Sequence, residues 1–178
     1  MFKDKNHFDL FDLSPAFSVD LERLEAFYRK LNQQFHPDVV SQGSSREKLE
    51  ATLLTAQINE AYETLKTPLK RGYYLLKLLD PNGETDQDKT VKDPDLLLEA
   101  YENQEALSLA KTPQDIEPLL ETGQAKKASI LLKVEKDFDH RNLTQARLNL
   151  YRYRYYDKLM SDAKTQLSEK LKDNASTA

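Results

Sequence analysis

The sequence of 178 residues contains no cysteine and only 4 glycines. Without cysteine, the chain can form no disulfide, no cysteine-based zinc site and no thiolate bond to an iron–sulfur cluster. This absence fits a reducing compartment, and we expect a cytoplasmic protein. The 3 histidines lie far apart in sequence and no paired metal-ligand spacing is present, so we expect neither a metal site nor a cofactor.

Long apolar runs and strand patterns are also missing. No stretch approaches the roughly 20 apolar residues that cross a bilayer, and residues 1–10 lack the apolar run of a secretory signal. Alternating β-branched residues are almost absent, whereas Leu, Ala, Glu, Lys, Gln and Asp dominate, which favours helices. The composition therefore predicts an all-α protein without membrane spans.

The balance of 26 basic and 30 acidic residues gives a net charge of −4, which argues against nucleic-acid and anionic-membrane partners. Residues 151–156, YRYRYY, interleave aromatics and arginines as some RNA-binding segments do. On a helix these side chains point in several directions, so RNA binding stays a secondary alternative. The sequence has no Gly-rich phosphate loop and no nucleophile beside a base, so we do not expect an enzyme.

Two helical patterns flank the tripeptide His36-Pro37-Asp38. Over 20–35, apolar residues recur at three- and four-residue steps and so share one inner face: Leu21, Leu24, Tyr28, Leu31 and Phe35. A possible capping box, Ser44 with Glu47, opens a second helix over 45–67. Antiparallel pairing of these helices would bury both apolar stripes and place the tripeptide at the tip of a hairpin.

Each residue of this tripeptide has a physical use at a loop tip. Pro37 fixes φ and lowers the ordering cost of binding, Asp38 offers a carboxylate to a partner arginine, and His36 can donate and accept hydrogen bonds. The alternative is an ordinary helix stop followed by a capped turn. The flanking hairpin favours the binding loop.

The remaining chain divides at a polar stretch, residues 81–92, which we interpret as a linker after an N-terminal domain of residues 1–80. Thr67-Pro68 begins a helix before it. A C-terminal domain, residues 93–172, contains three helices that begin at Asp93-Pro94, at Thr112-Pro113 and near Leu143. Short connections favour antiparallel packing of these helices. The inner face of the last helix is expected to run from Ala146 to Leu171, and residues 173–178 are expected to fray.

Several segments together resemble one family: FDLFDL, FYRKLNQQFHPDVV, INEAYETLKTPLKRGYYLL, TVKDPDLLLEAYENQEAL and RYRYYDKL. They are similar to J-domain co-chaperones, and the later ones to the HscB family of iron–sulfur cluster assembly. The resemblance implies an L-shaped protein with a J-domain and a C-terminal three-helix bundle. It also implies stimulation of ATP hydrolysis by a DnaK-like chaperone, HscA, and delivery of the scaffold protein IscU to it. The alternative function is a general co-chaperone for unfolded clients, although the Gly-rich or cysteine–zinc regions usual in such proteins are absent.

The resemblance implies that the tripeptide and the basic face of the preceding helix bind the chaperone. The predicted chaperone-binding residues are therefore His36, Pro37, Asp38, Arg23, Arg29 and Lys30. Val39 stands where the family often has a basic residue, and acidic neighbours dilute the positive charge: Asp20, Glu22 and Glu25. We therefore expect weaker electrostatic steering here. A solvated helix face without a partner is the alternative for Arg29 and Lys30.

The resemblance also implies scaffold-binding positions in the C-terminal domain: Leu97, Leu98, Tyr101, Glu102, Glu105 and Tyr155. Helical spacing independently groups those on the first helix of the domain. Three consecutive leucines, Leu96 to Leu98, cannot all face one core, so an exposed patch rimmed by carboxylates is expected. The alternative places all of these residues in the core. Tyr101 and Tyr155 stand where apolar residues are expected in the family, which would make the contact more polar.

Overall fold

Most of the chain that the structure describes is helical. The computed structural model describes residues 5–35, 44–83 and 93–176, with the backbone alone for 173–176. Over these ranges the chain forms seven α-helices and no strand: α1 (His7–Leu10), α2 (Leu21–Phe35), α3 (Ser45–Lys66), α4 (Pro68–Leu79), α5 (Pro94–Leu109), α6 (Pro113–Asp139) and α7 (Leu143–Ser176). The all-α prediction is confirmed.

The helices belong to two compact units, residues 1–83 and 84–178. The first unit contains α1 to α4 and the second contains α5 to α7. Among the described helices, none is both long and apolar enough to cross a membrane.

The first unit is built on an antiparallel pair, α2 and α3. Near the start of α2, Glu25 accepts a hydrogen bond from the Tyr62 hydroxyl. At the end of α2, the Phe35 carbonyl accepts one from Thr55 Oγ1 at 3.0 Å. Between these points the Tyr28 ring stacks on the Tyr62 ring with centroids 3.8 Å apart. The chain therefore returns along itself after residue 35, as the predicted hairpin requires.

Local signals set where the helices of the first unit begin. Ser44 Nα donates to Glu47 Oε2 at 2.7 Å and Glu47 Nα donates to Ser44 Oγ at 3.4 Å, which is the predicted capping box. Leu21 was expected on the inner stripe of α2 but is 52% exposed. It precedes Glu25 by one turn, and α3 ends at Lys66, one turn after Tyr62. The partner helix therefore ends beside Leu21 and leaves it uncovered. The buried core of this unit includes Phe8, Phe11, Leu24, Ile58, Leu65 and Leu75.

The second unit is a three-helix bundle. The α6 and α7 helices are antiparallel, because Asp137 accepts from Asn149 at 2.7 Å while Lys127, further back on α6, pairs with Asp157 further along α7. By contrast, α5 runs parallel to α7, as its contacts with α7 advance together. One joins Asp93 to Arg152 and the other joins the Leu107 carbonyl to Gln166 Nε2 at 3.0 Å.

Several features of α6 and α7 differ from a simple sequence interpretation. Pro118 does not interrupt α6, which runs from Pro113 through it. A Cβ on Gly123 would lie 3.0 Å from Met160 Cγ, so this glycine permits the close approach of α6 and α7. The α7 helix continues to Ser176, into the stretch that was expected to fray. Leu171, expected on the inner face, is 53% exposed, because α7 reaches the end of the bundle here: Lys170 Nζ donates to the carbonyl of Lys111, between α5 and α6, at 3.3 Å.

Candidate functional site

The loop motif His36, Pro37 and Asp38, together with Val39, lies outside the described residues. Both flanking helix ends are described. Phe35 ends α2, Ser44 caps α3, and the Phe35–Thr55 hydrogen bond holds the two helices together beside the loop. The structure therefore defines the two helix ends that flank the motif and the hydrogen bond that joins them.

The three basic residues of α2 differ in their contacts. Arg23 Nη2 donates to Asp12 Oδ2 at 2.7 Å and to the Asp12 carbonyl at 2.9 Å, so this guanidinium braces the connection before α2. Arg29 pairs with Glu25 at 3.0 Å but its side chain is 72% exposed, and Lys30 is also exposed. Arg29 and Lys30 are therefore better placed than Arg23 to meet a partner.

Glu25 is the acidic group that weakens this basic face. The hydrogen bond from the Tyr62 hydroxyl, followed by the one from Arg29, holds the pKa of Glu25 below its usual value. Glu25 consequently stays ionised near neutral pH and partly neutralises Arg29. This geometry agrees with the expectation of diluted positive charge on α2.

The outer face of α5 carries the predicted apolar patch. Leu97 is 53% exposed, Leu98 61% and Tyr101 67%. Glu102 and Glu105 are also exposed. The inner face of the same helix is buried through Leu96 and Leu107. The alternative that placed these residues in the core is wrong for these five exposed side chains. We use the name docking face for Leu97, Leu98, Tyr101, Glu102 and Glu105 together with Tyr155.

Tyr155 joins this face from α7. It is half-buried, its hydroxyl lies 3.5 Å from the Ala100 carbonyl of α5, and its ring packs edge-on against Tyr156 at 5.0 Å. The structure therefore exposes five of the six predicted scaffold-binding residues on α5, and Tyr155 packs against that helix from α7 at Ala100. Their role in binding stays a prediction.

An ion pair that the sequence did not predict joins the start of α5 to α7. Asp93 Oδ1 accepts from the Leu96 N–H at 3.2 Å, and Asp93 Oδ2 pairs with Arg152 Nη2 at 2.6 Å. Desolvation opposes ionisation of Asp93, but the hydrogen bonds from Arg152 and Leu96 outweigh it, so the pKa of Asp93 lies below its ordinary value. The sequence predicted the start of α5 at Asp93-Pro94. It did not predict the pairing of Asp93 with Arg152, because Arg152 lies 59 positions away.

The side chains of the YRYRYY segment point in different directions and form no aromatic platform. Tyr153 and Tyr156 are buried in the bundle, and Arg152 is engaged by Asp93. Tyr151 and Arg154 remain partly exposed on another side of α7. The segment thus serves mainly the bundle, which disfavours the RNA-binding alternative.

Comparisons with known proteins match both units. A DnaJ domain model matches residues 6–74, and a model described as HSCB C-terminal oligomerisation domain matches residues 92–164. The co-chaperone protein HscB homolog of Vibrio vulnificus (strain YJ016) is 34% identical over 163 residues, 88% of this chain and 94% of that protein.

Solved structures of similar proteins agree with the sequence matches. The crystal structure of human co-chaperone protein HscB has a TM-score of 0.87 and 29% identity, and the match covers 92% of this chain and 83% of that one. The chaperone HscB from Vibrio cholerae has a TM-score of 0.80 and 28% identity, with 92% and 98% covered.

The DnaJ domain defines this protein as a J-domain co-chaperone, a class whose partner is a DnaK-like chaperone. The C-terminal match and the likeness along nearly the whole chain then specify the type. The chain belongs to the HscB family, the co-chaperones of iron–sulfur cluster assembly. Its relatives are co-chaperones, in line with the prediction of a binding protein.

Proposed function

We propose that the chain binds an HscA-type chaperone through its J-domain hairpin and an IscU-type scaffold protein through the docking face. In this way it delivers the scaffold to the chaperone during iron–sulfur cluster assembly in the cytoplasm. The observation that carries the proposal is the exposure of Leu97, Leu98 and Tyr101 on a helix whose neighbouring Leu96 is buried. An exposed apolar cluster of this kind is typical of a protein-binding site.

At the chaperone end, the proposal assigns the effect on ATP hydrolysis to His36, Pro37 and Asp38. The constrained loop would present the Asp38 carboxylate to a partner arginine, a contact that gains from a charge-assisted geometry. Arg29 and Lys30, both exposed on α2, would steer the approach to an acidic surface of the chaperone.

At the scaffold end, the three large side chains would supply the buried centre of the interface, and Glu102 and Glu105 would form its polar rim. No bond of the scaffold is made or broken by the co-chaperone. Because one chain carries both surfaces, capture of the scaffold raises its local concentration at the chaperone.

Selective binding of the scaffold tests this function against that of a general co-chaperone. Calorimetric titration should show one-site binding of purified IscU-type scaffold and no binding of a reduced, unfolded protein of similar size. Equal binding of the two ligands would favour the general co-chaperone and would contradict the assignment of a dedicated client.

A further inference from the structure

A groove of about 480 Å³ runs between α5 and α7 beside the docking face. Gln104, which lines the groove, follows Tyr101 by three residues on α5 and so lies beside it on the helix surface, which makes the groove continuous with the docking face. Gln104 lines the groove from α5, and the buried Leu159 lies in it together with Tyr151, Arg154, Lys158 and Asp162 from α7. The groove thus combines aromatic and aliphatic surface with charged groups.

Cationic groups predominate in this groove. The Arg154 guanidinium lies over the Tyr151 ring, 5.1 Å from its centroid. Lys158 is 76% exposed and pairs with Asp162 at 3.1 Å, four residues along the same helix. An exposed pair of this type is weak and exchanges partners readily. Among the charged residues that line the groove, the cations Arg154 and Lys158 thus outnumber the one carboxylate, Asp162.

One acidic residue of the docking face, Glu102, lies on the edge opposite the groove. Successive residues of an α-helix are rotated by about 100°, so Gln104 and Glu102 fall on opposite sides of Tyr101. Gln104 is on the side of the groove, which places Glu102 on the edge away from it. The whole surface therefore runs from a basic groove through an apolar centre to an acidic edge.

We propose that this groove is a second subsite for the same scaffold protein and that it binds an acidic side chain of the scaffold, adjacent to an apolar one. The carboxylate would replace Asp162 as the partner of Lys158, while the neighbouring apolar group would pack on Tyr151. This inference rests on the proposed function. Its consequence is that opposite charges at the two edges fix the orientation in which the scaffold docks.

Charge reversal in the groove tests the subsite. Lys158→Glu should weaken scaffold binding at least about tenfold at low salt, because like charges then face each other, and Tyr151→Ala should weaken it about threefold. Lys164→Glu is the matched control, since Lys164 is an exposed lysine of α7 that does not line the groove. This control should bind as the wild type does. Thermal melts establish that each variant is folded.

A rescue experiment adds specificity. Each Asp and Glu of the scaffold is changed to Lys in turn, and one of these variants should restore binding to the Lys158→Glu protein while losing affinity for the wild type. Three results would overturn the subsite alone. The wild type and Lys158→Glu could bind scaffold equally, or Lys158→Glu and Lys164→Glu could lose equal affinity. The third is that Lys158→Glu loses binding of an RNA oligonucleotide and keeps binding of the scaffold. Failure of the wild type to bind scaffold would overturn the proposed function as well.

Discussion

Asp93 and Arg152 join the N-cap of α5 to the third turn of α7. Arg152 Nη2 lies 2.6 Å and Arg152 Nε 2.7 Å from Asp93 Oδ2, so one carboxylate oxygen accepts both hydrogen bonds. The other oxygen caps α5 through Leu96. Since Leu97 and Leu98 follow directly, this ion pair sets how the docking face is presented beside α7.

Replacing Asp93 with Asn keeps a side-chain oxygen for the helix cap but removes the charge that Arg152 needs. We expect the free energy of unfolding of the second unit to fall by about 1–3 kcal/mol, the usual effect of losing a hydrogen bond to a charged group. Urea unfolding followed by circular dichroism measures it. Asp95→Asn, an exposed change in the same turn, is the control and should alter stability by less than about 0.5 kcal/mol.

The same pair predicts a dependence of stability on pH. The pKa of Asp93 is lowered in the folded protein, so its contribution is complete above the unfolded pKa of about 3.9. It is lost as the pH falls through the folded pKa. The stability difference between wild type and Asp93→Asn should be constant from pH 7 to about 5 and shrink below about pH 4. A difference that grows in acid would contradict this account.

Adjacent leucines of α5 should respond to substitution in opposite ways. Leu96→Ala removes a side chain that is 5% exposed and should destabilise the protein by about 2–5 kcal/mol. The triple change Leu97→Ala, Leu98→Ala and Tyr101→Ala should leave helicity and melting nearly unchanged. It should nevertheless abolish detectable scaffold binding in calorimetry.

Leu132→Ala provides the surface control for that comparison, because this leucine is 61% exposed on α6. It should affect neither stability nor scaffold binding. Loss of the fold in the triple variant would show instead that those three residues are needed for packing.

Exposed charge on α2 predicts an effect on association rate. Changing Arg29 and Lys30 together to Glu should slow association with the DnaK-like chaperone by about tenfold at low salt and less at high salt, because steering is screened. Stopped-flow fluorescence gives the rates. The matched control changes Lys70 and Lys77 together to Glu, because both are exposed lysines of α4 and the change in charge is the same. An equal slowing in this control would indicate a general charge effect without a defined surface.

Sequence alone predicted the features that short segments encode. The capping box of Ser44 with Glu47 and the starts of helices at Asp93-Pro94 and Thr112-Pro113 depend on neighbouring residues, and the structure has each of them. Three consecutive leucines also predicted that part of α5 would be exposed, because the inner face of a helix cannot accommodate all three.

Features that depend on distant parts of the chain were not predictable in this way. Apolar spacing assigned Leu21 and Leu171 to inner faces, but it carries no information on where the neighbouring helices end, and both side chains are exposed. The Asp93–Arg152 pair and the groove between α5 and α7 arise from the parallel register of two helices separated by α6. That register follows from packing of the whole bundle.

The most direct test of the central claim measures ATP hydrolysis by the cognate DnaK-like chaperone with wild-type protein and with Asp38→Asn, each with and without the IscU-type scaffold. We predict that the wild type stimulates hydrolysis and that the scaffold increases this stimulation. Asp38→Asn should bind scaffold normally and stimulate no hydrolysis. Equal stimulation by Asp38→Asn, or ATP hydrolysis by the purified protein without any chaperone, would contradict the account.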